Sequence, residues 1–195
     1  LLAFFMITTN VQALTIVLDP GHGGIDSGAV SGNIYESNVT LKIAQYLREY
    51  LQEYEGVSVS LTHEGIASGE VTVFDRSIMA RDRNADLLVS LHINSSTSSS
   101  ANGAEVYVTA NTSLDKYNKE TTELGNRILA NLASLGIANR GVLTKVLSTD
   151  TTDRYSDGTM ADYYGIIRYA MRGTKIDYGV IWPTGKEPAN IQNGE

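Results

Sequence analysis

The segment from Leu87 to Ile93 limits the fold of this chain more than any other stretch. It reads LLVSLHI, a run that is mainly apolar and has no clear alternation of apolar and polar residues. A strand that is apolar on both faces must be covered on both faces, as happens in parallel sheets with helices on either side. The sequence therefore predicts a central strand here, in a largely parallel sheet.

Strand and helix patterns alternate along the rest of the chain. Further strands are predicted at Leu14–Leu18, Val57–Leu61, Glu105–Thr109 and Tyr178–Trp182, and helices at Asn38–Tyr54, Val73–Arg83, Leu114–Leu135 and Tyr163–Met171. We expect Ser37 to be the N-cap of the first helix, and Gly136 to end the third. A polar stretch follows Val142 and runs to Asp157. This order, in a chain of 195 residues, predicts one α/β domain with a mostly parallel sheet.

Composition excludes several kinds of site. The chain has no cysteine, which rules out disulfides, thiolate metal ligands and thiol nucleophiles. Its formal net charge of −7 argues against nucleic acid or an anionic membrane surface as a partner. Any metal site must therefore use carboxylates and the three histidines, which are His22, His63 and His92.

The amino-terminal residues have the pattern of an export signal. Leu1–Ile7 (LLAFFMI) is apolar but too short to span a bilayer. The segment Val11–Ala13 then has the small-x-small spacing of a signal-peptidase site. We predict that residues 1–13 are the remnant of a signal peptide and that residues 14–195 form the domain. The protein is then secreted or held in a bacterial cell envelope. The alternative is that the apolar run is a buried first strand.

Three residues that are far apart in sequence are expected to meet at one edge of the sheet. His22 follows the first strand in a glycine-rich loop, Glu36 precedes the first long helix, and His92 lies near the end of the central strand. Sites in parallel α/β sheets gather where the strands end. Two imidazoles and one carboxylate suit a catalytic Zn²⁺ with an open coordination position. Asp19 is placed in the same loop, where it could orient a ligand histidine.

Taken singly, these residues also have ordinary structural explanations. A histidine on a strand is commonly packed or hydrogen-bonded, and a glutamate before a helix suits the helix dipole. His63 follows the second strand in a polar turn, and we expect it to be solvated. From spacing alone, a zinc-binding role and a purely structural role of these residues both remain open.

Several ordered strings resemble a known family. The segment IVLDPGHGGIDSGAVSGNIYES is similar to the opening of zinc-dependent N-acetylmuramoyl-L-alanine amidases of the Amidase_3 type. DRSIMARDRNADLLVSLHINSS resembles the helix R-x-x-x-A-x-x-x-N and the strand S-x-H-x-N of that family. NGAEVYV and NRGV resemble its G-x-E-V-Y and R-G-V motifs. The resemblance runs in register from Leu14 to about Arg172.

The resemblance implies a fold, a cofactor and a reaction. The fold is a single α/β domain with a mixed, mostly parallel sheet and helices on both faces. One Zn²⁺ is bound by His22, Glu36 and His92, and Asp19 and Asn94 lie around the ligands or in the substrate loop. The reaction is hydrolysis of the amide between N-acetylmuramic acid and L-alanine in peptidoglycan. A second glutamate near the carboxyl terminus acts as general base and acid.

The chain departs from the family pattern from about residue 173. Where the family has its second glutamate, this sequence has Trp182 and Pro183. Three explanations stay open. The reading frame is broken near Ile176, Glu187 serves from a shifted position, or the protein retains zinc and wall binding without turnover.

Three functions therefore remain as hypotheses. The first is a peptidoglycan amidase, with peptidoglycan as partner, no nucleic acid, no membrane span, and a monomeric state. The second is another zinc peptidase that acts on wall peptides, since the same ligands permit it. The third is an inactive homologue that binds zinc and the wall.

Overall fold

The computed structural model describes residues 13–65, 70–94, 96, 98, 100–111, 115–148, 152–171 and 177–182. For residues 115–117 and 177–182 the description covers the backbone only. The predicted signal remnant up to residue 12, and Glu187, lie outside the described residues. The domain limits at residues 13 and 14 and the role of Glu187 therefore stay predictions.

Strands and helices follow one another along the chain. In order they are β1 (Leu14–Pro20), β2 (Val30–Ser31), β3 (Ile34–Tyr35), α1 (Glu36–Leu51), β4 (Val57–Leu61), α2 (Val73–Asp82), β5 (Leu87–Leu91), β6 (Ala104–Val108), α3 (Asp115–Ser134), β7 (Asn139–Leu143), α4 (Gly165–Met171) and β8 (Asp177–Trp182). Among the described residues, no helix combines the length and the apolar character needed to cross a membrane.

The main sheet has the strand order β4-β1-β5-β8-β6-β7. β4, β1, β5 and β8 run parallel to one another, whereas β6 pairs antiparallel with β8 and β7 follows β6 in parallel. The sheet is therefore mixed and mostly parallel, as predicted. β5 lies third in the order, between β1 and β8, which confirms the central position expected for LLVSLHI.

Helices cover both faces of the sheet. Ala44 of α1 packs with Leu18, Val59 and Leu91 in one apolar cluster, and Leu129 of α3 packs with Val106 in another. Because Val106 and Leu91 both pair with Ile181, α1 and α3 cover the same face. α2 and α4 cover the other face. The apolar cluster on that face includes the buried residues Val17, Leu88, Tyr107, Ala80, Ile167 and Ala170.

Two details of the sequence reading are wrong. Ser37 is not the N-cap of α1. The helix begins at Glu36, with Tyr35 in the cap position and no side-chain cap hydrogen bond. The sequence also predicted no strand at the NRGV motif, where β7 runs from Asn139 to Leu143. β7 is largely exposed and contains a glycine, so it lacks the apolar alternation by which strands are recognised.

Different polar residues lie at the two edges of the sheet where strands begin and end. We call the edge where β1, β4, β5 and β8 end, and where β6 and β7 begin, the His92 edge. The opposite edge, where β6 ends, is the Asp162 edge, because Asp162 contacts Thr109 and Ala110 just after β6. The predicted metal ligands all belong to the His92 edge.

Candidate metal centre

His22 is held at the His92 edge by an unusual loop conformation. Its backbone has φ 66°, a left-handed value that is uncommon for a residue with a Cβ. Arg76 donates a hydrogen bond from Nη2 to the His22 carbonyl oxygen at 2.8 Å. Strain of this kind persists only where the surroundings enforce it, and it clusters at functional sites. The loop therefore fixes the direction of the His22 ring.

Glu36 is buried at the start of α1, with 1% of its surface exposed. Its Oε1 accepts a hydrogen bond from the Ile93 N–H at 2.8 Å, and its Oε2 accepts one from the Ala29 N–H at 2.9 Å. Two backbone donors thus orient the carboxylate from opposite sides. Oε1 is turned toward both histidines.

The three predicted ligands meet at one point. His22 Nε2 lies 3.2 Å from Glu36 Oε1, His92 Nδ1 lies 3.1 Å from that oxygen, and the two nitrogens are 3.2 Å apart. Tetrahedral zinc with bonds of about 2.0–2.1 Å would place its ligand atoms about 3.3 Å from one another. The triangle of donor atoms therefore fits one zinc ion. In the part of the chain that the structure describes, these three residues have their ligand atoms close enough together to hold one metal ion.

Two glycines make room for the rings of His22 and His92. A Cβ on Gly21 would lie 2.5 Å from His92 Cε1. A Cβ on Gly28 would lie 2.5 Å from His22 Cδ2 and 2.8 Å from Glu36 Oε2, and Gly28 has φ +63°. A side chain at either position would displace a histidine ring, so contact alone excludes it at both. At Gly28 the left-handed backbone conformation favours glycine as well.

Electrostatics favour a charged carboxylate among the ligands. Burial acts to raise the pKa of Glu36, but hydrogen bonds and attraction from His22 and His92 hold it well below its usual range. Burial acts to lower the pKa of His22, yet the carboxylates of Asp26 and Glu36 raise it to about 9. A metal ion that binds here must therefore displace a proton from His22.

Asp26, and not Asp19, contacts a ligand ring with its carboxylate. Asp26 Oδ2 lies 2.7 Å from His22 Nδ1, the ring nitrogen that faces away from the triangle. Such a carboxylate fixes the tautomer of a metal-binding histidine and its orientation. Asp19 instead accepts hydrogen bonds from Thr62 and Ser90. The sequence placed Asp19 in the loop or around the ligands, and these contacts put its carboxylate behind the loop rather than on a histidine ring.

Asp19 acts one step further from the ligands. It is buried, and Arg76 Nη1 donates to its Oδ1 at 3.0 Å and to the Pro20 carbonyl at 2.7 Å. The same guanidinium also donates a hydrogen bond to the His22 carbonyl oxygen, so the Asp19–Arg76 ion pair stabilises the loop that carries His22. Burial acts to raise the pKa of Asp19, but Arg76 and the hydroxyl donors lower it.

Asn94 lies at the His92 edge, two residues after His92. Its Nδ2 donates to Glu105 Oε1 at 3.3 Å. Glu105, at the start of β6, is buried and also receives a hydrogen bond from Arg140 Nε at 3.0 Å. The structure thus joins Asn94 to a second polar group at this edge, and that group was not expected from the sequence.

His63 is buried and not solvated, which corrects the sequence interpretation. It is 8% exposed, and its Nε2 lies 2.9 Å from the Pro20 carbonyl oxygen. The Gly65 N–H donates to His63 Nδ1, so the proton is on Nε2 and is donated to Pro20. His63 therefore packs beside the loop that carries His22 and remains outside the ligand triangle.

The sequence reading missed four residues that build this site: Asp26, Arg76, Glu105 and Arg140. A signal was present for each, because Asp26 follows His22 by four positions and the other three lie in the quoted motifs. Their roles depend on contacts between distant strands and loops, and periodicity does not report such contacts. Among the described residues of the site, the structure shows no carboxylate that takes the place of the missing second glutamate. Asp26 and Glu105 are both occupied by other partners.

Comparisons with known proteins agree on one family. Residues 16–181 match the family model Amidase_3, described as N-acetylmuramoyl-L-alanine amidase. The chain is 36% identical over 160 residues to a probable N-acetylmuramoyl-L-alanine amidase AmiB of Haemophilus influenzae, covering 81% of this chain and 34% of that protein. It is 29% identical over 187 residues to a germination-specific N-acetylmuramoyl-L-alanine amidase of Bacillus subtilis, covering 79% and 78%.

Solved structures show the same fold. A crystal structure of an N-acetylmuramoyl-L-alanine amidase from Clostridium difficile superposes with a TM-score of 0.64 at 25% identity, covering 87% of this chain and 78% of that one. The chain spans about a third of the length of the first curated relatives it matches, at 34% and 32%.

Proposed function

Since the chain belongs to the Amidase_3 family of N-acetylmuramoyl-L-alanine amidases, we propose that it hydrolyses the amide between N-acetylmuramic acid and L-alanine in peptidoglycan, with one Zn²⁺ held by His22, Glu36 and His92. The observation that carries the proposal is the triangle of three donor atoms 3.1–3.2 Å apart. Two neutral imidazoles and one carboxylate are the donor set of catalytic zinc sites with an open position.

Each ligand has a distinct task in this arrangement. Glu36 supplies the negative charge, and its buried, doubly hydrogen-bonded carboxylate stays ionised. His22 is aimed by Asp26, and His92 is placed by the end of the central strand. The chemistry that a zinc ion supplies in such a site is Lewis acidity toward a carbonyl and a lowered pKa of water.

The site is open enough for a substrate while its ligands are fixed. The side chains of His22 and His92 are 14% and 15% exposed, whereas that of Glu36 is fully covered. A polymer such as peptidoglycan can reach the two imidazole faces from solvent. We propose that the protein works as a monomer in the cell envelope or outside the cell, where that substrate lies.

Product analysis tests the reaction. Purified muropeptides are incubated with the zinc-loaded protein, and released fragments are identified by mass spectrometry and amino-terminal labelling. We expect new amino-terminal L-alanine and an intact glycan, lost on chelation and restored by zinc. Cleavage of a different bond would contradict the amidase proposal in favour of another zinc peptidase.

One observation favours a second candidate, an inactive homologue that binds zinc and the wall. Leu91 pairs with Ile181, so Trp182 stands on β8 level with His92, and the family's second glutamate is expected there. This candidate predicts bound zinc and binding to purified sacculi without release of fragments. Trp182→Glu would place a carboxylate on the strand next to His92. Turnover by the variant and not by the wild type would establish this second candidate.

A further inference from the structure

A second polar group lies on the His92 edge, two strands away from His92 in the sheet. The register places Gly21, His92, Trp182 and Glu105 in consecutive positions along the ends of β1, β5, β8 and β6. Strands are about 4.8 Å apart, so the backbone of Glu105 lies about 10 Å from that of His92. Arg140 follows on β7, beside Glu105.

A β-bulge directs Arg140 toward this edge. Ala104 pairs with Asn139 and Val106 with Val142, so β7 has one residue more than β6 in this interval. The extra residue falls at Arg140–Gly141, and Gly141 has φ 97°. Bulges of this kind occur next to active sites, where they turn a side chain away from the regular ladder. Here the bulge faces Glu105.

The side chain of Arg140 is held at two points. Its Nε donates to Glu105 Oε2 at 3.0 Å. Its aliphatic stem covers Gly103 so closely that a Cβ on that glycine would lie 2.6 Å from Arg140 Cδ. Glu105 is itself fixed, since Asn94 Nδ2 and the Tyr107 hydroxyl both donate to its Oε1. Arg140 is therefore positioned before any ligand arrives.

The two terminal nitrogens of the Arg140 guanidinium are available to bind a ligand. An arginine has five N–H donors, and the contact with Glu105 uses only the one on Nε. Within the described part of the chain, the two terminal nitrogens of Arg140 donate no hydrogen bond. The Arg140 side chain is 39% exposed. Paired terminal N–H groups match the two oxygens of a carboxylate.

We propose that Arg140 binds a carboxylate of the stem peptide, and that Glu105 positions it for this task. The inference rests on the proposed function, because it assumes that the stem peptide is bound with its L-alanine at the metal site. The second residue of that peptide, D-glutamate, is acidic, and the third often is. An extended peptide advances about 3.3–3.6 Å per residue, so about three residues span the distance from His92 to Glu105. Carboxylates on either residue are within reach.

Calorimetric titration with free stem tripeptides tests the proposal without requiring turnover. Three peptides are used: one with both carboxylates, one amidated at the second residue, and one amidated at the third. Arg140→Gln should weaken binding of the first peptide about 10–100-fold, the range for a hydrogen-bonded charge pair. It should leave unchanged the binding of the peptide that lacks the recognised carboxylate, which identifies that residue. Arg140→Lys should give an intermediate loss, because lysine keeps the charge but not the fork.

Arg81→Gln is the matched control, since Arg81 is exposed and paired with Asp82 at the far end of α2. The proposal is overturned if Arg140→Gln weakens all three peptides equally, weakens none, or behaves like Arg81→Gln. Hydrolysis of muropeptides is measured on the same samples. Selective binding without hydrolysis would leave the Arg140 subsite standing and count against the amidase activity alone.

Discussion

The two edges of the sheet each bury an aspartate, but the two carboxylates have opposite electrostatic environments. Asp19 at the His92 edge lies against the guanidinium of Arg76, which holds its pKa below the usual range despite burial. At the Asp162 edge, burial raises the pKa of Asp162 although the hydroxyls of Thr109 and Tyr155 donate to it. Arg168 acts to lower the pKa of Asp162, but it donates its hydrogen bond to the main-chain oxygen of that residue.

The difference between the two aspartates distinguishes a candidate metal site at the His92 edge from a buried junction of strands and loops at the Asp162 edge. At the His92 edge, the ion pair of Asp19 and Arg76 supports the loop that carries His22, and the His22 ring lies beside the charged Glu36. At the Asp162 edge, the polar groups satisfy one another in the interior. A metal centre needs ionised ligands with stable orientation, whereas a junction between strands and loops needs only complete hydrogen bonding.

The largest contrast is expected from removing one partner at each edge. Arg76→Met leaves Asp19 buried without its cation and should lower the free energy of unfolding by about 3–5 kcal/mol. Tyr155→Phe removes a hydroxyl that donates to Asp162 Oδ2 and accepts from the Asp162 N–H, and it should cost about 1–2 kcal/mol. Urea unfolding measures both values. Equal losses would show that the two aspartates are held in the same way.

Two glycines with the same backbone conformation give the next contrast. Gly28 and Gly32 have φ +63° and +59°, but only Gly28 faces the ligands, since nothing lies within 4 Å of a Cβ on Gly32. Both alanine variants carry about 1–2 kcal/mol of backbone strain. Gly28→Ala should cost a further 1–3 kcal/mol or so through overpacking, and it should also lower zinc affinity. Competition with a chromogenic chelator measures that affinity, and an equal loss in Gly32→Ala would refute the contact explanation.

Asp26 provides a test of ring orientation. Asp26→Asn should lower zinc affinity about 10–100-fold, as expected when the group that orients a ligand histidine is removed. Asp162→Asn, a matched change at the other edge, should leave zinc affinity unchanged. The same chelator competition applies to both variants. A drop in Asp162→Asn as large as that in Asp26→Asn would mean that the measurement reports general loosening of the fold.

The smallest expected effect is the pH dependence of stability. Asp19 has a lowered folded pKa, so its contribution is present above the ordinary value of 3.8 and is lost as the pH falls through the folded pKa. Asp162 has a raised folded pKa, so stability is lost as the pH rises from 3.8 through that pKa. Asp19→Asn should flatten the acid limb of the stability curve, and Asp162→Asn should raise stability toward neutral pH relative to acid. Urea midpoints between about pH 3 and pH 7 test both signs, which must be opposite.

Sequence patterns predicted the part of the fold that rests on apolar periodicity. The limits of β4 were predicted correctly, and β5 was placed at the centre because its composition allowed only a covered strand. β7 was missed because it is exposed and contains a glycine, and β2 and β3 were missed because each has only two residues, too few to show an alternation. The start of α1 was misplaced because burial of Glu36 outweighs the capping preference of Ser37.

The same division holds within the site. The rule that parallel strands end at one edge predicted that His22, Glu36 and His92 meet, and the structure brings their donor atoms together. It could not predict which carboxylate reaches His22, because Asp19 and Asp26 both follow the first strand and only the loop path distinguishes them. His63 was misread because its burial depends on the loop that follows Pro20.

The zinc content of three purified proteins tests the central claim most directly. The wild type should bind about one zinc ion per chain, the number that one set of three protein ligands supports. His92→Ala should retain almost none, and His63→Ala should retain the wild-type amount, with circular dichroism confirming that all three are folded. Equal zinc content in the two variants would contradict the assignment of His22, Glu36 and His92 as the ligands.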